Sequence, residues 1–193
     1  MPSAYEQPRY DVIGKYDDFE VRRYAPYLVA ETAIDGAYEE GRNAAFRRLF
    51  GYITGNNKTD ERIEMTVPVT STPRDRSAVG ATNGSAASAP EAGADVSVMQ
   101  FMVPGEFTMD TVPEPRDPRV RIRMLAEQVF AVRRYSGRWT EENYRENEDL
   151  LRRQLAAAGL AANGPSIFAA YNGPFTPWFL RRNEVMIPVE IPS

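Results

Sequence analysis

The chain contains neither histidine nor cysteine among its 193 residues. These two residue types supply the base of a Ser-His-Asp triad, the nucleophile of a Cys-His pair, and the imidazole and thiolate ligands of most zinc sites. Their absence excludes all of these arrangements. Acid-base chemistry in this chain would therefore depend on Asp, Glu, Tyr or Lys.

Carboxylates occur as adjacent pairs in several places. The pairs include Asp17/Asp18, Glu39/Glu40, Asp60/Glu61 and Glu141/Glu142. Neighbouring side chains of a helix or strand point in different directions, so an adjacent pair does not converge on one reacting atom. We interpret these pairs as turns and solvated faces, and neither a phosphate-binding loop nor a Gly-x-Ser-x-Gly elbow is present.

Composition limits the class of protein. The chain is 42% hydrophobic and 11% aromatic, which is enough for a sizeable core, and its net charge is −4. The negative charge implies no uniformly basic face, so we do not expect nucleic acid as a partner, and we expect the scattered Arg pairs on solvated surfaces. No segment approaches the ~18 apolar residues of a membrane span, and the N-terminus does not resemble a signal peptide. The sequence thus predicts a cytoplasmic protein.

One short segment occurs twice. FEVRRY at residues 19–24 returns as FAVRRY at residues 130–135, and each copy has the alternation of a strand. A connection and an amphipathic helix follow each copy. The order of elements therefore predicts two related halves, at about residues 10–71 and 119–190, with the hexapeptides as equivalent strands.

The two predicted helices carry clear boundaries. In the first, at residues 38–54, Phe46, Leu49, Phe50 and Ile53 form one apolar stripe before a Gly-Asn-Asn end. The second begins after Thr140, a favourable N-cap residue, and ends at Gly159. Short strands surround both helices, including one predicted at residues 63–71. We expect an α+β fold in which antiparallel sheet segments pack against two helices.

The segment at residues 72–95 differs in composition from the rest. It is rich in Ala, Ser, Gly, Thr and Pro and has few large apolar side chains. Such a segment cannot bury enough surface to offset the entropy lost on ordering. We therefore predict a flexible insertion within a single domain that spans residues 1–193.

Two groups of motifs resemble a known family. The first is LFGYITGNN at residues 49–57, followed by MTVPV at residues 65–69, and the second is YNGPF at residues 171–175, followed by RRNEV at residues 181–185. Together with FMVP at residues 101–104 they resemble the SOUL haem-binding protein family from about residue 10 to residue 189. The YNGPF motif departs from the family pattern, because Ala170 stands where the family has a glycine before the tyrosine.

The resemblance implies a fold and a function. The implied fold is a distorted antiparallel β-barrel of two pseudo-twofold halves, each with one long helix, similar to the effector-binding domains of bacterial regulators. The implied function is non-catalytic binding of haem or a related tetrapyrrole, such as a porphyrin, in an apolar groove beside the first helix. The protein would then act as a carrier or buffer.

The resemblance also suggests binding residues. Some relatives ligate iron through a histidine near the start of the first helix, where this chain has Tyr38. Binding would therefore occur without histidine, and Tyr38 could act as a phenolate ligand or simply begin the helix. The candidate contacts are Phe46, Leu49, Phe50 and Ile53, with Arg42 or Arg47 pairing with propionates and Met65 or Met102 as soft ligands. The alternative interpretation is that the aromatic stripe and the methionines are core.

Two other functions remain open from the sequence. One is a small-molecule effector-binding or protein-interaction module, with an acidic group such as Glu184 at the floor of an apolar cleft. The other is an enzyme that acts on tetrapyrroles, which no sequence feature demands. If Asn183 and Glu184 are buried, we expect them to belong to a hydrogen-bond network rather than to a catalytic centre.

Overall fold

The computed structural model describes residues 5–36, 38–72, 97–173 and 175–190. The predicted flexible insertion at residues 72–95 lies outside these ranges except for Thr72. The described strands are β1 Tyr10–Lys15, β2 Glu20–Tyr24, β3 Tyr27–Ala33, β4 Val69–Thr72, β5 Val98–Met102, β6 Arg121–Leu125, β7 Gln128–Tyr135, β8 Ile167–Ala170 and β9 Asn183–Pro188. The helices are α1 Tyr38–Ile53 and α2 Glu141–Ala157, and a short 3₁₀ turn covers Trp178–Leu180.

Both helices have the boundaries that their sequences predict. The Thr140 hydroxyl accepts a hydrogen bond from the Asn143 backbone N–H, and two glutamates follow it in the first turn of α2, where the helix dipole favours negative charge. Gly159 ends this helix with a φ of 69°, and Gly55 follows α1 with a φ of 117°. Glycine adopts such angles without the steric penalty that a Cβ atom brings.

The strands form one curled antiparallel sheet, a half-barrel in the order β1-β2-β7-β9-β8-β4-β5-β3-β6. The α+β prediction is confirmed. The order is the same on both sides of the central β4–β8 pair, since β4-β5-β3-β6 on one side corresponds to β8-β9-β7-β2 on the other. In each set one helix joins two strands along the chain: α1 lies between β3 and β4, and α2 lies between β7 and β8.

The two hexapeptides do not occupy equivalent strands in this order. β2 and β7, which contain them, are direct neighbours, and Arg22 of β2 pairs with Phe130 of β7. The strand that corresponds to β7 is β3, because each of these two immediately precedes a helix. The prediction that the two hexapeptides are equivalent strands was therefore wrong. A strand-like pattern of six residues specifies exposure and pairing, but not a place in the sheet.

A strand predicted at residues 63–71 is shorter in the structure. Only Val69–Thr72 pairs with neighbouring strands, since the preceding Pro68 has no N–H to donate to a ladder. The residues before it form hydrogen bonds outside the ladder instead. The Thr66 hydroxyl donates to the Met102 carbonyl at 2.7 Å, and the Val67 N–H donates to the Glu6 carbonyl at 3.0 Å.

Both helices pack on one face of the sheet. α1 lies against β3 and β5, and α2 lies against β7 and β9. The core under α1 includes Leu49 and Phe101, and the core under α2 includes Leu151 and Phe168. The opposite face of the second half carries a third cluster around Tyr24, Phe130 and Met186 among other residues. This arrangement leaves two regions for functional side chains, the outer surface of α1 and the sheet face that lacks helices.

Candidate functional site

The outer surface of α1 carries a stacked aromatic pair. The Phe46 and Phe50 rings lie one helical turn apart, with centroids separated by 5.9 Å and planes inclined by 12°. Phe46 is half-buried and meets the buried Phe101 ring edge-on at 5.3 Å. Phe50 remains 46% exposed. The core therefore supports an aromatic surface that water reaches on its outer side.

Two of the predicted groove residues are buried in the core. Leu49 is completely buried and Ile53 is 5% exposed, and both pack in the cluster beneath α1. Contact between a ligand and either side chain would require the overlying groups to move. The spacing of the apolar stripe did not distinguish its buried side from its exposed edge, since one helical face includes both.

The remaining predicted residues differ in their exposure and contacts. Arg47 is exposed, and Met65 is half-buried against the core under α1. The guanidinium carbon of Arg42 lies 4.8 Å from the centroid of the Phe168 ring, which belongs to β8. Tyr38 is the first residue of α1. We define the α1 face as Arg42, Phe46, Arg47, Phe50 and Met65.

A buried charge cluster occupies the opposite face of the sheet. Glu184 in β9 is fully buried, and its carboxylate accepts hydrogen bonds from Arg22 at 3.0 Å and from Arg182 at 2.7 Å. The Tyr171 hydroxyl also donates to it at 2.8 Å. Arg182 in turn donates to the side-chain oxygen of Gln7, from the segment before β1. The expected hydrogen-bond network around Glu184 is therefore present.

Arg22 corrects an expectation from the sequence. Its side chain, predicted on a solvated strand surface, is only 7% exposed. Burial by itself would lower the pKa of Arg22, but the Glu184 carboxylate together with Tyr24 and Tyr10 outweighs burial and raises that pKa above the usual value. Burial raises the pKa of Tyr171 well above its usual value, and the Glu184 charge acts in the same direction. The arginines thus stay charged and the tyrosine neutral.

Asn183 is also fully buried, next to Glu184 in β9. Its side-chain oxygen accepts a hydrogen bond from the Trp139 indole N–H at 2.8 Å, and its amide donates to the Gly137 carbonyl at 3.1 Å. The residue therefore ties β9 to the turn that leads into α2. Its role in this structure is to hold these two segments together.

Buried tyrosines make the stability of the fold depend on pH in the alkaline range. Burial raises the pKa of Tyr52 to about 12, with the Glu61 charge acting in the same direction, and burial raises the pKa of Tyr27 to about 12. An unfolded tyrosine has a pKa of about 10. The stability that each raised pKa contributes is therefore complete below about pH 10 and is lost as the pH rises to about 12. We expect urea unfolding to show a steep loss of stability across this window.

The Tyr52→Phe variant tests this expectation. The Tyr52 hydroxyl donates to the Pro113 carbonyl at 2.7 Å, so the variant should be less stable at neutral pH. Its stability should nevertheless fall less steeply between about pH 10 and pH 12, because one raised pKa has been removed. Equal slopes in the variant and the parent protein would contradict the assignment.

Comparison with known proteins identifies the family. The SOUL heme-binding protein family matches residues 5–188. The chain belongs to this family. Heme-binding protein 2 of Mus musculus is 25% identical over 193 residues, with 95% of this chain and 87% of that protein covered. Its Homo sapiens counterpart is also 25% identical, over 86% of this chain and 79% of its own length.

Solved structures show the same fold at low sequence identity. The C-terminal domain of EcmrR is 9% identical and superposes with a TM-score of 0.62, covering 94% of this chain and 98% of that domain. A hydrolase from Listeria innocua is 11% identical and has a TM-score of 0.58, with 92% and 94% of the two chains covered. At this identity the likeness concerns the fold alone.

In the described part of this SOUL-family chain, no group of three or more acidic side chains is arranged to hold a metal ion. None of its described helices is long and apolar enough to cross a bilayer.

Sequence reasoning missed one exposed feature of the chain. Phe175 and the 3₁₀ turn Trp178–Leu180 place four large apolar side chains on the surface before β9. The segment has neither the period of a helix nor the alternation of a strand. An apolar run in a proline-containing loop was the available signal.

Proposed function

We propose that this protein binds haem or a related tetrapyrrole on the α1 face, without a histidine ligand, and acts as a carrier or buffer. Membership of the SOUL heme-binding family supports this class of ligand. The observation that carries the proposal is the stacked Phe46–Phe50 pair, which presents an apolar surface that is backed by the core and half-exposed at Phe50. Planar macrocycles gain affinity by stacking on such aromatic side chains.

The residues present fit such a ligand through apolar and charge contacts. A tetrapyrrole of this class supplies a planar apolar ring system with carboxylate side chains. Arg47 is exposed beside the aromatic pair, and a guanidinium pairs well with a carboxylate. Arg42 already stacks on Phe168, so we assign it the smaller share in pairing with the carboxylates of the ligand. The chain has no histidine or cysteine, and the proposal requires no iron ligand.

The alternative, an effector-binding module of the regulator type, receives less support from the side chains. That hypothesis places Glu184 at the floor of a cleft for cationic ligands. In this structure Glu184 is fully buried, and two guanidinium groups already neutralise it. A cationic ligand would have to displace both arginines. The fold is shared with such modules, but this carboxylate is not free to bind a ligand.

We also infer that the chain is built from an internal repeat. The matching order of strands and helices on the two sides of the β4–β8 pair supports this inference. The two halves would not contribute equally to tetrapyrrole binding. α1 carries the stacked aromatic pair, and the corresponding helix α2 has Leu150 as its one strongly exposed large apolar side chain among the residues described.

The direct test is an absorbance titration with haemin and with metal-free protoporphyrin, side by side. Because the proposed contacts are apolar and ionic, both ligands should bind with similar affinity and saturate at an equimolar ratio. Phe50→Ala should raise both dissociation constants about tenfold, as expected when part of a buried aromatic contact is lost. Arg47→Gln should have a smaller, salt-dependent effect.

Leu150→Ala is the matched control, since it removes an exposed apolar side chain from α2 rather than α1. It should leave both affinities unchanged. Binding of haemin alone would show that an iron ligand is needed, and loss of that binding in Tyr38→Phe would then identify the phenolate. Weak, non-saturating binding of both ligands would overturn the proposed function.

A further inference from the structure

The loop before β9 exposes a compact group of apolar side chains. Phe175 is 98% exposed, and Trp178, Phe179 and Leu180 are each at least half exposed. We call these four residues the apolar tip. Single exposed apolar residues are common on protein surfaces, but four of them within six positions form a patch of the kind that marks an interaction site.

The tip is held in place by the structure beneath it. The Gly137 N–H donates to the Trp178 carbonyl at 3.1 Å, which fixes the tip to the turn before α2. The Arg181 guanidinium donates to the Thr176 carbonyl at 2.9 Å and stacks on the Trp139 ring at 4.1 Å. The backbone is therefore anchored while the apolar side chains point into water. This ordering in advance lowers the entropy cost of binding.

The surroundings of the tip are positively charged. Residues 133–140 and 175–183 contain five arginines and no acidic residue, in a chain whose net charge is −4. Two of the five are paired with carboxylates outside these ranges, Arg133 with Asp18 at 3.9 Å and Arg182 with Glu184 at 2.7 Å. Arg134 and Arg138 are exposed, and neither forms an ion pair with a described residue. The guanidinium carbon of Arg138 lies 5.9 Å from the centroid of the Trp178 ring. Glu141, the first acidic residue after Arg138, lies 3.8 Å from Arg145 in α2.

We propose that the apolar tip docks this protein onto an anionic lipid surface. Trp178, Phe179 and Leu180 enter the boundary between headgroups and acyl chains, and Arg134 and Arg138 pair with the lipid phosphates. Tryptophan favours this boundary because its ring is apolar and its N–H is polar, and nearby arginines add attraction to anionic lipids. The contact is peripheral and does not span the bilayer.

The shape of the tip favours a lipid surface over a protein partner. A standard protein interface buries about 800 Å² on each side, with a well-packed apolar centre surrounded by a polar rim. The tip is a single short turn whose side chains project outward, and a lipid surface accepts such a wedge without a complementary cavity. The proposal is independent of tetrapyrrole binding, since the tip and the α1 face belong to different elements.

Flotation of the full chain with vesicles tests the proposal. Vesicles of phosphatidylcholine with phosphatidylserine should carry the protein, and vesicles of phosphatidylcholine alone should carry much less. The triple variant Trp178→Ala, Phe179→Ala, Leu180→Ala should reduce the bound fraction at least about tenfold, since three apolar side chains no longer enter the bilayer. The variant Met109→Ala, Leu150→Ala removes exposed apolar side chains elsewhere and should bind normally.

Quenching in the unmodified protein provides a second measurement. Brominated acyl chains should quench the fluorescence of Trp178 in phosphatidylserine vesicles, and Trp178→Phe should abolish the quenching while binding persists. Arg138→Gln should weaken binding to anionic vesicles only. The proposal is overturned if the parent protein fails to float with anionic vesicles, or if the triple variant floats equally well. It is also overturned if the tip instead mediates self-association or haemin binding without vesicle binding.

Discussion

Replacement of Glu184 by glutamine is expected to lower the free energy of unfolding by about 3–5 kcal/mol, the usual cost of removing one partner from a buried ion pair. The substitution preserves volume and removes one negative charge. Arg22, which is almost as buried as Glu184, then loses its buried counter-ion and keeps only Glu20 at the edge of the cluster. Urea denaturation of the variant and the parent protein at neutral pH measures the difference.

A double-mutant cycle separates the ion pair from the packing around it. Arg22→Met removes the buried cation, so the double variant Arg22→Met, Glu184→Gln should be more stable than the sum of the single effects, by about 0.5–3 kcal/mol. The exposed pair of Lys58 and Glu114 is the control. Lys58→Gln should change stability by no more than about 1 kcal/mol. Strict additivity in the cycle would show that Arg22 and Glu184 do not stabilise each other.

Leu49→Ala is expected to lower the free energy of unfolding by about 2–5 kcal/mol, the range for truncation of a buried leucine. The side chain is completely buried under α1, and its removal leaves a cavity next to Tyr52 and Phe101. Thermal or urea unfolding gives the value. Phe50→Ala, one position along the helix, should change stability by only about 0.5 kcal/mol, because surface substitutions usually have effects of that size.

Substitutions at these two adjacent residues should therefore affect different properties. Leu49→Ala should act on stability, and Phe50→Ala should act on tetrapyrrole affinity. If Leu49→Ala left stability unchanged and weakened binding, Leu49 would be a ligand contact, as the sequence pattern allowed. Conversely, a large loss of stability in Phe50→Ala would show that the aromatic pair serves the core rather than a ligand.

Much of the fold could be predicted from local patterns. The Thr140 cap determines where α2 begins, and Gly55 and Gly159 determine where α1 and α2 end, because capping and positive φ angles depend on residues close in sequence. The hexapeptide at residues 130–135 was predicted as a strand, and it lies within the strand Gln128–Tyr135. The motifs around residues 49–69 and 171–185 were sufficient to indicate the family, and the family match confirms that prediction.

The candidate site could be predicted only in part. The helical period placed Phe46, Leu49, Phe50 and Ile53 on one face, yet the structure buries two of them deeply and leaves Phe50 half-exposed. The degree of burial depends on which strands pack beneath each turn of the helix. The assignment of the candidate residues to tetrapyrrole binding stays a prediction, as do the single-domain division and the cytoplasmic location.

By itself, the sequence determined the chemistry that this protein lacks, the two helices and the family. Absent histidine and cysteine exclude whole classes of sites whatever the fold, and helix ends depend on neighbouring residues. Only the tertiary structure decided that Arg22 is buried against Glu184, which is 162 positions away. That contact arises because β7 alone separates β2 from β9 in the sheet. The order of strands is set by packing of the whole chain, so the local alternation that marked Arg22 as a strand residue could not reveal its partner.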